Sequence, residues 1–163
     1  MKHPRFSTAL SASALFACLS FVALCPQKAA ADPESHFRGA TYIITTVTDS
    51  TGAFADRDVI TLNADHTLSV VSSGQGGPTF FFSSQLGTWG VSSNGTLVGR
   101  TIDFDYPPNA DVARLNYTFK VQSDGSISGT ITLYTFPLTA NPLDGGGTLL
   151  GKFNFTGYKV TLP

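Results

Sequence analysis

From Asp32 onward the chain has almost no stretch in which apolar residues recur at helical spacing. Runs rich in Thr, Val, Ile, Tyr and Phe alternate in polarity instead, and stop at Gly, Asn, Asp or Pro. Eight such runs are legible, at 41–48, 58–62, 67–71, 79–91, 96–106, 114–122, 126–136 and 148–160. With one face buried and tight turns between neighbours, this pattern predicts a single all-β domain. An antiparallel up-and-down barrel of about eight strands removes every exposed edge, and a two-sheet sandwich is the alternative.

The first 31 residues are read apart from that domain. Lys2 and Arg5 precede an apolar run, and Ala29-Ala30-Ala31 offers the small side chains a signal peptidase requires. A leader cleaved after Ala31, a flexible segment at 32–40 and a barrel domain at 41–163 follow. The expected location is secreted or periplasmic, with no membrane span after cleavage. Both cysteines, Cys18 and Cys25, leave with the leader, which excludes disulfides, thiolate metal sites and a cysteine nucleophile. Of the 10 Lys and Arg, Lys2, Arg5 and Lys28 also leave, whereas all 11 acidic residues stay. A net acidic domain is unsuited to nucleic acid, which demands clustered cations. An outer-membrane barrel is disfavoured, because the chain ends Lys-Val-Thr-Leu-Pro without a terminal aromatic residue.

The turns suggest registers. Asn94-Gly95 is a strong two-residue hairpin signal; pairing Ser93 with Thr96 sets Trp89 opposite Arg100 and Val91 opposite Val98. Ser123-Asp124-Gly125 reads as a three-residue loop with Gly in the left-handed place. It aligns Phe119 with Gly129, Tyr117 with Ile131 and Leu115 with Leu133. Between these hairpins, Asp105 against Arg114 aligns Ile102 with Tyr117 and Asp103 with Asn116. In this arrangement Val98, Arg100, Ile102 and Phe104 look inward and the two aspartates look outward.

Gly87-Thr88-Trp89, with Arg100 across from the tryptophan, resembles the Gly-x-Trp and arginine pair of the lipocalins, in the calycin superfamily of β-barrels. In lipocalins this motif lies on the first strand; here it falls on the fourth. The resemblance implies a barrel closed at one end by tryptophan on arginine, with an interior for a small apolar ligand. The allene-oxide-cyclase-like barrels are similar in architecture.

Candidate site residues follow from the registers. Arg100 is a cation–π plug on Trp89 or an anchor for an anionic ligand group. Tyr117 on the apolar face could polarise a carbonyl together with Arg100, the equipment of a cyclase or isomerase. Trp89, Phe81 and Phe119 complete the expected ligand-binding set. Asp103 and Asp105 are read as a solvated ladder ending in a salt bridge to Arg114, in preference to an acid–base or calcium pair. His66 is read as a turn residue in the left-handed region, and His36 lies in the flexible segment. Neither has metal-ligand spacing, and no Gly-x-Ser-x-Gly elbow is present, so metal and nucleophilic catalysis and any cofactor are not expected.

In Phe80-Phe81-Phe82, alternation back from Trp89 points Phe81 inward and its neighbours outward; a bulge at Ser83-Ser84 would reverse this. The function expected is the binding of a small hydrophobic or amphipathic molecule in the barrel. A cyclase or isomerase using the same cavity, and an interaction or inhibitor module with a filled core, are the alternatives.

Overall fold

The computed structural model describes residues 38–76 and 81–163. The expected leader, His36, Phe80 and the Gly77-Pro78 stretch lie outside these residues. Eight strands follow one another: β1 (Ala40–Thr48), β2 (Phe54–Leu62), β3 (Thr67–Ser72), β4 (Gln85–Val91), β5 (Leu97–Phe104), β6 (Asp111–Val121), β7 (Ser126–Pro137) and β8 (Thr148–Lys159). Each pairs antiparallel with the next, and β8 returns to β1 from Tyr42↔Lys159 to Thr48↔Phe153, closing the barrel. Closure gives every strand two partners, so no edge stays open to a foreign strand.

One end of the barrel is built from a repeated turn. The loops 64–66, 93–95 and 123–125 each have three residues, closed by Asn63 N–H to Thr67 O, Ser92 N–H to Thr96 O and Gln122 N–H to Ser126 O, all at 2.9 Å. The third loop residue is left-handed in each: His66 at φ 68°, Gly95 at 78° and Gly125 at 81°. The preceding Asp65, Asn94 or Asp124 side chain accepts from the backbone N–H two residues on, at 3.0, 3.1 and 2.8 Å. This is a type I turn followed by a left-handed residue, and His66 takes the place in which glycine is more usual.

The Asn-Gly turn therefore has one more loop residue than the sequence reading gave it. Ser92, and not Ser93, pairs with Thr96, so Trp89 lies opposite Gly99 and Arg100 opposite Thr88. A shift of one residue exchanges the faces of a strand. The next hairpin is displaced by an odd number as well: Asp103 faces Ala113 and Ile102 faces Arg114. The two errors cancel by β6, whose register with β7 is as expected. Only β5 is inverted: Leu97, Gly99, Thr101 and Asp103 look inward, while Val98, Arg100, Ile102 and Phe104 look outward.

The core fills the tight-turn half. Tyr42, Ile44, Ile60, Leu62, Leu68, Val70, Leu97, Phe119, Ile127 and Phe155 are buried there with Trp89. Each large apolar side chain buried in this way stabilises by about 1.5–3 kcal/mol. Trp89 closes this end: its indole N–H donates to Asn63 O at 3.0 Å and its ring lies 5.1 Å from that of His66. The partner of the tryptophan is thus His66, which the left-handed turn holds against it, and not Arg100. Cation–π contacts are made instead by Arg114, 4.9 Å from the Tyr134 ring and 4.8 Å from Phe136 on the outer face. Its guanidinium also donates to the carbonyls of Pro142, Asp144 and Gly146, fastening the β7–β8 loop. The expected Arg114–Asp105 bridge does not form, because the two side chains look to opposite sides.

Gly87 has a steric reason within the Gly-x-Trp stretch. A Cβ there would collide with the Arg100 carbonyl on the neighbouring strand, whereas one on Gly90 would meet nothing. Gly87→Ala is expected to destabilise the barrel by about 1–3 kcal/mol, read as a lowered urea midpoint. Gly90→Ala should stay within about 0.5 kcal/mol of the wild type.

Candidate functional site

The inward columns of β1 to β5 change character along the barrel axis. From the tight-turn end to the opposite mouth they read Tyr42-Ile44-Thr46, Leu62-Ile60-Asp58-Asp56, Leu68-Val70-Ser72, Trp89-Gly87-Gln85 and Leu97-Gly99-Thr101-Asp103. Each starts apolar and ends polar. The columns of β6 to β8 are largely apolar beside the cavity, with Phe119-Tyr117-Leu115-Ala113, Ile127-Gly129-Ile131-Leu133 and Phe155-Phe153, and the β6 column ends at the mouth in Asp111, whose Oδ1 is buried without a partner. Where the packed half stops, a cavity of about 530 Å³ opens towards the long loops. One wall carries Thr46, Asp58, Ser72, Gln85 and Asp103; the other carries Ala113, Leu115, Ile131, Leu133 and Phe153. Gly74, Phe82, Asp105 and Asn109 stand around it from the loop side.

Tyr117 and Gln85 form the floor. The Tyr117 hydroxyl donates to Gln85 Oε1 at 2.5 Å, and Thr101 Oγ1 donates to the same oxygen at 3.1 Å. Burial holds the Tyr117 phenol well above its usual range, with the Asp58 charge adding to the effect. Tyr117 is therefore a fixed hydroxyl and not a base.

The carboxyl groups on the polar wall are held differently from one another. Asp56 accepts from the Ser72 and Ser73 hydroxyls and from Gly74 N–H at 3.1 Å. Asp58 accepts from Thr46 Oγ1 at 2.8 Å. Burial pushes it up to about 6 against the pull of that hydrogen bond, and the Asp56 charge adds to the rise. Asp103 is 4% exposed, and its Oδ1 has no hydrogen-bond partner. Burial, reinforced by the Asp105 charge, pushes it up to about 7. Asp105 is raised too, by burial and by its neighbour Asp111. An isolated buried carboxylate is too costly to keep charged, so it takes up a proton near neutral pH. Among the described residues no Lys, Arg or His lines the cavity.

These positions differ from the sequence expectations. Tyr117 lines the cavity as expected, and Phe119 points inward but lies below it, its ring tilted against that of Phe155 at 6.4 Å between centroids. Trp89 is in the plug. Arg100 lies on the outer face, its Nε donating to Asn116 Oδ1 at 3.0 Å, so the pair Tyr117–Arg100 is not assembled. Phe81 is 48% exposed, and it is Phe82 that lines the cavity. The alternation breaks at Ser83-Ser84, where β4 gives way to an isolated bridge between Phe82 and Asp105. Asp103 and Asp105, read as a solvated ladder, are interior groups, and the sequence reading singled out neither Asp58 nor Gln85. A signal was there: Asp is depleted in strands, yet Asp56-Arg57-Asp58 and Asp103-Phe104-Asp105 put Asp-x-Asp in or at the end of two of them.

No protein-family model, curated protein or solved structure matches the chain.

The raised carboxyls set the pH dependence of stability. Asp103 holds its proton to about 7 when folded, and to about 3.9 when unfolded. Its stabilising contribution is complete below about pH 4 and is lost as pH rises through 7; Asp58 and Asp105 act in the same sense. The melting temperature of the empty barrel should therefore fall between pH 5 and pH 8. Asp103→Asn should reduce that fall and melt above the wild type at pH 8, as followed by circular dichroism. A wild-type melting temperature that does not vary over this range would contradict the assignment.

Proposed function

We propose that the chain is an exported, calycin-type barrel that binds a small amphipathic molecule in its interior. The observation that carries this reading is the two-sided cavity. One wall offers Leu115, Ile131, Leu133 and Phe153 to an apolar body, and the other offers buried polar groups that fix its orientation. Its volume of about 530 Å³ lies within the range usual for small-molecule sites. The leader read at 1–31 supports a secreted or periplasmic location. An interaction module with a filled core has less support, since the mouth half is hollow. The cyclase or isomerase reading passes from Tyr117 and Arg100 to the Asp103 and Asp105 carboxyls, whose raised proton affinity suits general acid–base work. Turnover separates it from a binder, which returns its ligand unchanged.

A neutral environment-sensitive dye, N-phenyl-1-naphthylamine, is expected to bind saturably at one site per chain. Leu133→Trp, which fills the apolar wall, should weaken binding about tenfold or more, whereas Leu143→Trp in the β7–β8 loop should not. Unsaturable binding, or equal affinity in Leu133→Trp, would remove the cavity from the account.

A further inference from the structure

Resting on that reading, we infer that the polar wall selects a protonated amine: the ligand is an amphipathic ammonium whose charged head lies at Asp103 and whose apolar body lies on β6 to β8. The argument is an accounting of donors and acceptors. The Thr46 hydroxyl already donates to Asp58, that of Ser72 to Asp56, and those of Thr101 and Tyr117 to Gln85. What is left fully buried and without a partner at the cavity is an acceptor, the Oδ1 of Asp103, and the Oδ1 of its neighbour Asp111 on β6 is in the same condition. A buried polar group without a partner in a folded chain calls for an explanation, and one that faces a cavity is placed to take its partner from the occupant. The missing partner is a hydrogen-bond donor.

Charge narrows the class further. The titratable groups facing Asp103 are Asp105 on its own side and Asp111 from β6, and the same cavity is lined by Asp58 and Asp56 from β2 and by the neutral Tyr117. All the ionisable ones are acidic, and no cation of the chain lines the space among the described residues. A carboxylate or phosphate ligand would enter a field of its own sign, while a neutral alcohol would leave the field uncompensated. A metal ion fits poorly as well, because among the described residues no three acidic or histidine side chains gather in ligand geometry. An ammonium satisfies both the open acceptor and the charge, and a charge-assisted hydrogen bond is the stronger kind.

Binding is then linked to protons. An alkyl ammonium keeps its charge to about pH 10, whereas Asp103 in the empty site is half protonated near 7. The cation stabilises the carboxylate and releases its proton, so affinity for the amine rises from pH 5 to pH 8.

Displacement of N-phenyl-1-naphthylamine by octylamine, octanol and octanoate tests this. At pH 8 octylamine should displace the dye at a concentration about tenfold or more below octanol, with octanoate weakest, and the advantage should shrink at pH 5. In Asp103→Asn the ratio of amine to alcohol should collapse towards one. If that variant does not fold, the wild-type panel at the two pH values decides alone. Octanol equal to octylamine at pH 8, or octanoate the best competitor, would overturn the amine and leave the cavity reading standing. Failure of all three to displace the dye would overturn both.

Discussion

The backbone hydrogen bond from Ser92 N–H to Thr96 O sets the chemistry of the interior. It closes a three-residue loop, and that length decides which face of β5 looks inward. With β5 in this phase, Thr101 and Asp103 enter the barrel and Arg100 leaves it. Shortening the loop by one residue would exchange them, placing a guanidinium where a carboxyl stands. Asn94 and Gly95 hold the longer loop, the first by accepting from Thr96 N–H and the second by supplying a left-handed residue. The same device recurs at 64–66 and 123–125, so three turns set the phase within the pairs β2–β3, β4–β5 and β6–β7.

The barrel divides its work along its axis. The tight-turn half is filled by large apolar side chains and closed by Trp89, which His66 and the Asn63 carbonyl hold in place. That half supplies the burial on which folding depends, and so permits the mouth half to be hollow and to carry groups that disfavour folding at neutral pH. Buried carboxyls are poor structural material. Their place at the end of the inward columns of β2 and β5, beside a cavity, is what an anchoring role requires. The Tyr117–Gln85–Thr101 cluster marks the boundary between the halves: two hydroxyls converge on Gln85 Oε1 and fix the floor.

Much of this was legible in the sequence, and the exceptions have physical causes. The eight strands, the β6–β7 register and the left-handed His66 follow from alternation and turn chemistry. Ser123-Asp124-Gly125 allowed one loop length, and so the inward positions of Tyr117 and Phe119 were correct. Asn94-Gly95 allowed two lengths, because Asn-Gly serves a two-residue turn as readily as the last two places of a three-residue one. The apolar pattern of β5 then favoured the wrong choice: Val98, Ile102 and Phe104 are on the solvent side, and Phe104 is 51% exposed. Hydrophobic alternation identifies the buried face only where burial serves packing. In β5 the inward face serves a cavity, and the rule fails at the site itself. Phe81 was misplaced for a related reason, since the break at Ser83-Ser84 that turns Phe82 inward leaves no mark in the alternation.

The phase of β5 and the carboxyl it brings inside are tested most directly by a carbon-13 NMR titration that follows the Asp103 side-chain carboxyl in the empty protein. The account predicts a midpoint near 7, well above that of Asp124, which lies below the usual carboxylate range on the Ser126 hydrogen bonds. An Asp103 midpoint in the ordinary range near 3.9 would place the carboxyl in solvent, restore Arg100 to the interior and contradict the account.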